Sequence, residues 1–221
     1  RKALGEGWAV DEEDEAKPRY IDKTVLAVPA LALDALAREI RRLGTLSVTM
    51  VRGTIRELSL PRQGETSNRQ EVAKLGAAIA GFIVQLNRSG MSSDIAARLP
   101  GLLRVARYYE AAVELAAEAV AANAEAGGMM AGNAAAAGFF DSALVLLDTL
   151  DPGSLADSDV RQSVWQIALG AYDALKNYWL QAGANGIVPV AEMDARLRAA
   201  SATRRALEQL VKAAQRQKEV T

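Results

Sequence analysis

Leu33, Leu36, Ile40, Leu43 and Met50 recur at intervals of three, four and seven residues, with Arg38, Glu39, Arg41 and Arg42 set between them. That spacing gathers the apolar residues into one stripe of a helix and sends the charged ones elsewhere, and it returns in segment after segment of the chain. Half of the residues are apolar, yet aromatics make up only 5% and alanine is everywhere. Long helices packed closely through small side chains are therefore expected, not sheets rich in β-branched residues. The expected fold class is all-α.

The 221 residues suffice for one large domain or two smaller ones. Residues 1–20 carry the acidic run Asp11-Glu12-Glu13-Asp14-Glu15, then Lys17-Pro18-Arg19, with no apolar period. They read as a linker or tail. The first helix is expected from Asp22 to about Leu60, ended by Pro61 and Gly64. A second runs through Val72, Leu75, Ile79, Phe82 and Leu86 to Asn87, and a third from about Ser93 to Ala126 behind the cap Ser92-Ser93-Asp94, with Pro100 near its start. Gly127-Gly128 marks a boundary, and the segment to Gly132 reads as a hinge. A fourth helix carries Phe139, Phe140, Leu144, Leu147 and Leu150. The fifth covers about Leu155 to Gln181, and the sixth opens near Pro189 and runs to about Gln217.

The halves share this order of three helices. Laying Ala97-Arg98-Leu99 on Ala195-Arg196-Leu197 also brings Arg107 onto Arg205, Glu110 onto Glu208 and Val113 onto Val211. An internal repeat is expected, with bundles at 21–127 and 128–221.

Lysine and arginine number 26 against 27 acidic residues, so no global basic field is offered to a nucleic acid. With neither cysteine nor histidine, disulfides, zinc fingers, thiol nucleophiles and imidazole bases are absent from this chain. Only carboxylates remain as metal ligands. The longest apolar run, Leu75 to Val84, is about half the roughly 20 residues a spanning helix needs, so a soluble piece is expected. Its start at Arg1, without methionine, fits a segment of a longer polypeptide.

Glu110, Glu114 and Glu118 are spaced by four and share a helical face. Two readings stay open. Arg107 and basic residues of other helices neutralise a solvated stripe, or Glu110 and Glu114 hold a hard cation such as magnesium, manganese or iron through oxygen. In the second half Lys212 takes the place of Glu114, which suits an ion pair with Glu208 and excludes an identical metal site. Gly127-Gly128-Met129-Met130-Ala131-Gly132 lacks the strand and lysine of a phosphate loop. Tyr108, Tyr109, Trp165 and Trp179 read as packing residues.

Three motifs carry a resemblance. Arg19-Tyr20-Ile21-Asp22, Pro29-Ala30-Leu31-Ala32-Leu33 and Ala37-Arg38-Glu39-Ile40 together resemble the start of the cytoplasmic PhoU-like domain of bacterial sodium/phosphate cotransporter family proteins. Leu102-Leu103-Arg104-Val105-Ala106 with Glu110 and Glu114 is similar to the third-helix motif of PhoU, and Val188-Pro189-Val190-Ala191-Glu192-Met193-Asp194 to the start of the last helix. The resemblance covers about residues 19–217. It implies two tandem three-helix bundles behind a transporter membrane domain, at the cytoplasmic face of the membrane. It also implies a non-enzymatic regulator of phosphate transport whose partner is that membrane domain or other transport and signalling proteins, with a homodimer among the options. PhoU relatives hold metal on E/D-x-x-x-D motifs, and Glu110-x-x-x-Glu114 matches one copy, with glutamate in the last place. Tyr108 and Ala73 stand where acids are usual. No cofactor is required on this reading, while a divalent or ferric ion on Glu110 and Glu114 is the family's alternative. A stand-alone phosphate-signalling regulator is the runner-up. A carboxylate-metal helical enzyme and a structural adaptor that dimerises through alanine-rich faces are the competing classes.

Overall fold

The computed structural model describes residues 16–59, 69–128, 130 and 134–220. The acidic run at 11–15 and the expected breakers Pro61, Gly64 and Gly132 lie outside the described residues. Six long helices follow in order: α1 (Pro29–Ser59), α2 (Arg69–Asn87), α3 (Ser93–Glu125), α4 (Ala134–Leu150), α5 (Ser158–Ala184) and α6 (Val190–Val220). Among the described residues there is no strand, and the fold is all-α.

Local chemistry explains where the helix starts depart from the expected ones. α1 begins at Pro29 and not at Asp22, because the Asp22 carboxylate accepts the amides of Thr24 (2.6 Å) and Val25 (3.2 Å) and bends the chain into a short 3-10 turn, Val25–Ala27. Pro29 then takes the first helical position, where its missing N–H costs nothing. α5 begins at Ser158, three residues after Leu155, because Asp157 caps it by accepting from the Val160 amide at 2.8 Å. α3 runs unbroken through Pro100, which lies on an exposed side of the helix. It ends where Gly127 and Gly128 take φ of 82° and 78°, with the Gly128 amide reaching back to the Asn123 carbonyl at 3.0 Å.

α1, α2 and α3 pack on one another, as do α4, α5 and α6, yet the most extensive helix–helix interface is between α3 and α6. α1 also packs on α4, and Arg52 bonds Asp148 between them at 2.7 Å. The buried apolar residues accordingly form one continuous cluster. The helices of each half thus pack on one another, and the two halves share a core. α3 and α6 run antiparallel, as four ties in reverse order show. Tyr109 Oη donates to Gln217 Oε1 at 2.7 Å, Arg205 stands 3.8 Å from Glu118, Arg198 2.6 Å from Glu125, and Arg196 Nη2 donates to the Ala126 carbonyl at 3.3 Å.

Both helices of this seam bury alanine: Ala106, Ala112, Ala116, Ala119 and Ala122 on α3, and Ala195, Ala199, Ala200, Ala202, Ala206 and Ala213 on α6. Small side chains allow helix axes to approach closely, so that dispersion between near backbones can replace the area a leucine would bury. Bulk is concentrated elsewhere, in Leu36, Ile40, Leu43 and Ile55 of α1 and in Phe139 and Phe140 of α4, the Phe139 ring lying 5.8 Å from Tyr172 of α5.

Gly44 on α1 lies where Tyr109 of α3 and Pro152, after α4, both close on it. A Cβ there would stand 2.6 Å from Tyr109 Cζ, 2.7 Å from its hydroxyl and 2.8 Å from Pro152 Cγ. Gly44→Ala is expected to destabilise the fold by about 1–3 kcal/mol through overpacking. Calorimetry should find the melting temperature lowered by roughly 2–4 °C for each of those kcal/mol.

Candidate functional site

Helical phase places Glu39 on the apolar stripe of α1, three residues after Leu36 and four before Leu43, and its residue is fully buried. Residue type alone groups Glu39 with the polar residues of that helix, and the structure corrects this, since its phase carries it inside. What makes the burial tolerable is a ring of donors. Oε2 accepts the backbone amides of Arg19 (2.8 Å), Tyr20 (2.7 Å) and Ile21 (3.3 Å), while Oε1 accepts Arg42 Nε at 2.7 Å. Arg42 Nη2 in turn donates to the Lys17 carbonyl at 2.8 Å. A carboxylate with three N–H donors and a guanidinium is satisfied in both its charge and its lone pairs. Its effect is to tie the chain arriving at residues 17–21 onto the middle of α1's first half.

The acidic stripe on α3 does not act as one group. Glu110 is partly buried, and Arg107 Nη1 stands 2.8 Å from its Oε2. Its Oε1 lies over Gly76 of α2, where an added Cβ would collide with it. Glu114 is exposed. Glu118 points to α6, with Arg205 at 3.8 Å. Glu110 and Glu118 are thus drawn towards different neighbours, and among the described residues no three acids converge as a metal site would require. One acid of α2, Glu71, keeps a buried Oε2 with no partner among the described atoms.

On α6 the corresponding position is closed by bases. Glu208 accepts from Lys212 Nζ at 2.7 Å and from Arg204 Nη1 at 3.0 Å. The Lys212 hydrogen bond, more than any other contact, holds the Glu208 carboxyl below its ordinary value, against a smaller upward push from burial. Arg204 also lies over the Tyr172 ring at 5.5 Å. Nearer the start of α6, Arg198 joins Glu125 and Asp194, and its hydrogen bond is the main reason the Glu125 carboxyl is held low. Trp165, Trp179 and Tyr109 are buried, as packing residues should be, and Arg196 stacks over Trp179 at 4.7 Å. Burial, with Asp151 adding to it, pushes the Tyr109 hydroxyl well above the usual phenol range, so it stays a neutral donor to Gln217. In the segment read as a hinge, Met130 is buried, while Met129 and 131–133 lie outside the described residues.

No family model, curated protein or solved structure matches this chain.

Two consequences can be measured. Glu39→Ala leaves three amides and Arg42 without their acceptor, and chemical denaturation is expected to show a loss of about 3 kcal/mol, with faster hydrogen exchange at Tyr20 and Ile21. Glu39→Gln retains one acceptor oxygen and is expected to lose less. For Glu208 the sign follows from a lowered folded pKa: its ion pairs add stability above the ordinary glutamate value of 4.5, and this is lost as pH falls through the lower folded value. Glu208→Gln should therefore cost only about 0.3–1 kcal/mol at neutral pH, as partly exposed pairs do, and flatten the stability profile on the acid side of 4.5.

Proposed function

We propose that this chain is a non-enzymatic, PhoU-like regulatory domain of a sodium-dependent phosphate transport module, working at the cytoplasmic face of the membrane. The observation that carries the reading is the Glu39 anchor. Two of the stretches that resemble the start of a transporter-linked PhoU-like domain, Arg19-Tyr20-Ile21-Asp22 and Ala37-Arg38-Glu39-Ile40, are separate in sequence and meet through one carboxylate. A regulatory bundle tethered to a second module needs its tether fixed to the helical body, so that movement on one side is felt on the other. Glu39 supplies that joint. The pairing of α3 with α6 supplies a rigid seam between the two three-helix groups, which suits transmission of position more than it suits chemistry. A stand-alone phosphate-signalling regulator of the same class is the second reading, favoured by the same six helices.

On this reading Glu110 and Glu114 need no metal. Glu110 has Arg107 as its cation, and two carboxylates would leave a hard six-coordinate ion mostly hydrated. The carboxylate-metal enzyme would instead need further oxygen ligands from a second helix.

The test is sodium-driven phosphate uptake in cells making the intact gene product, compared with cells in which 16–220 are deleted. Deletion is expected to change how uptake responds to external phosphate. Identical uptake over the whole phosphate range removes the transporter reading, and altered phosphate-starvation signalling alongside it selects the stand-alone regulator. On the purified chain, excess chelator and excess magnesium, manganese or iron are expected to give nearly equal unfolding midpoints. A large rise with one metal that vanishes in Glu110→Gln establishes a metal site there.

A further inference from the structure

Among the described residues two arginines are buried, Arg161 and Arg196, and they are treated differently. Arg196 has the Glu192 carboxylate at 2.8 Å and the Trp179 ring beneath it. Arg161, at 6% exposure, has neither. Its Nε donates to the Thr149 carbonyl at 3.2 Å and its Nη2 to the Ala156 carbonyl at 3.1 Å, and among the described residues no carboxylate comes within ion-pair reach. Buried guanidinium groups normally sit against an anion, since a full charge is otherwise costly to remove from water.

Part of the account is structural. Thr149 belongs to the last turn of α4, whose carbonyl end carries about half a negative charge, and Arg161 closes it. That leaves part of the charge uncompensated, and two bonds leave about three of the five guanidinium N–H donors without a protein partner among the described residues. Arg161 also lines a groove of about 270 Å³ between the first turn of α5 and the last turns of α6, together with Ser158, Asp159, Gln162 and Gln215. Three of those four neighbours are neutral side chains that can donate hydrogen bonds, and the fourth, Asp159, is the only acid among them.

We propose that this groove binds a small oxyanion, with Arg161 as its charge partner and Ser158, Gln162 and Gln215 as neutral donors around it. A guanidinium fork suits the paired oxygens of phosphate, sulfate or a carboxylate alike. Asp159 opposes the guest, so binding is weak and easily reversed. The site stands on Arg161 and its groove alone and does not rest on the regulatory reading.

The experiment follows the thermal unfolding midpoint of the purified chain against inorganic phosphate, sulfate and acetate, each at ionic strength matched with sodium chloride. Wild type is expected to show a saturable rise with at least one of them, and the arm that responds names the oxyanion. Arg161→Gln should abolish the rise. Because that change also removes the bonds to α4, Gln162→Glu is the second arm: it leaves Arg161 bonded and places a carboxylate in the groove, and it too should abolish the rise. Asp159→Asn should tighten binding by about two- to fivefold, the size of one exposed charge contact. No saturable rise in wild type overturns the proposal, as does an equal rise in wild type and Gln162→Glu, which would mean that the anion acts elsewhere.

Discussion

The close approach of α3 and α6 is the constraint on which the rest of the structure depends. These two helices belong to different halves of the chain, so their seam turns two three-helix groups into one continuous core. It can be long because both helices bury alanine along much of their length, and it is antiparallel and in fixed register because polar ties stand along it. Alanine contributes little transfer energy per residue, about that of one methyl group. Such a seam depends on many small contacts in register, so a bulky residue at one point would part the helices over several turns.

Around that seam, charge is used to orient and seldom to stabilise. The pairs Arg198 with Glu125 and Arg205 with Glu118 have side chains about half exposed, and such pairs contribute at most about 1 kcal/mol each. Their value lies in register: a slip of α6 by one turn would break them together. Glu39 is the opposite case, a carboxylate wholly withdrawn from water whose loss would leave its partners stranded.

The helices were legible because their signals are local. Spacing of Leu33 to Met50, the Gly127-Gly128 stop and the Pro189 start each act within a turn or two, and each falls within a few residues of the observed boundary. The onset of α1 was misplaced because Asp22 bends the chain through its own side chain, a preference that apolar period does not report. The shared core was not legible either, since nothing local says that the third and sixth helices should face each other. Among the site residues, Arg107 was foreseen as the cation of Glu110 because the two lie one turn apart. Glu39 was assigned by residue type to the solvated side, although its phase between Leu36 and Leu43 already placed it inside. The Arg161 groove had no sequence signal, because its walls come from α5 and α6 and its meaning from the lack of an ion-pair partner for Arg161 among the described residues.

The Glu39 anchor grips its segment by backbone amides alone. The exposed side chains at 19 and 20 are free to vary as far as these bonds go, whereas Ile21 is also held by its own burial in the core. Proline, which has no amide hydrogen, would remove a donor at any of the three. Pro18 stands immediately before the first of them, so the run of three donors begins at the first amide after the proline. The carboxylate thus reads a length of peptide, three consecutive hydrogens after an imino acid, and leaves the reading of side chains to the core that takes up Ile21.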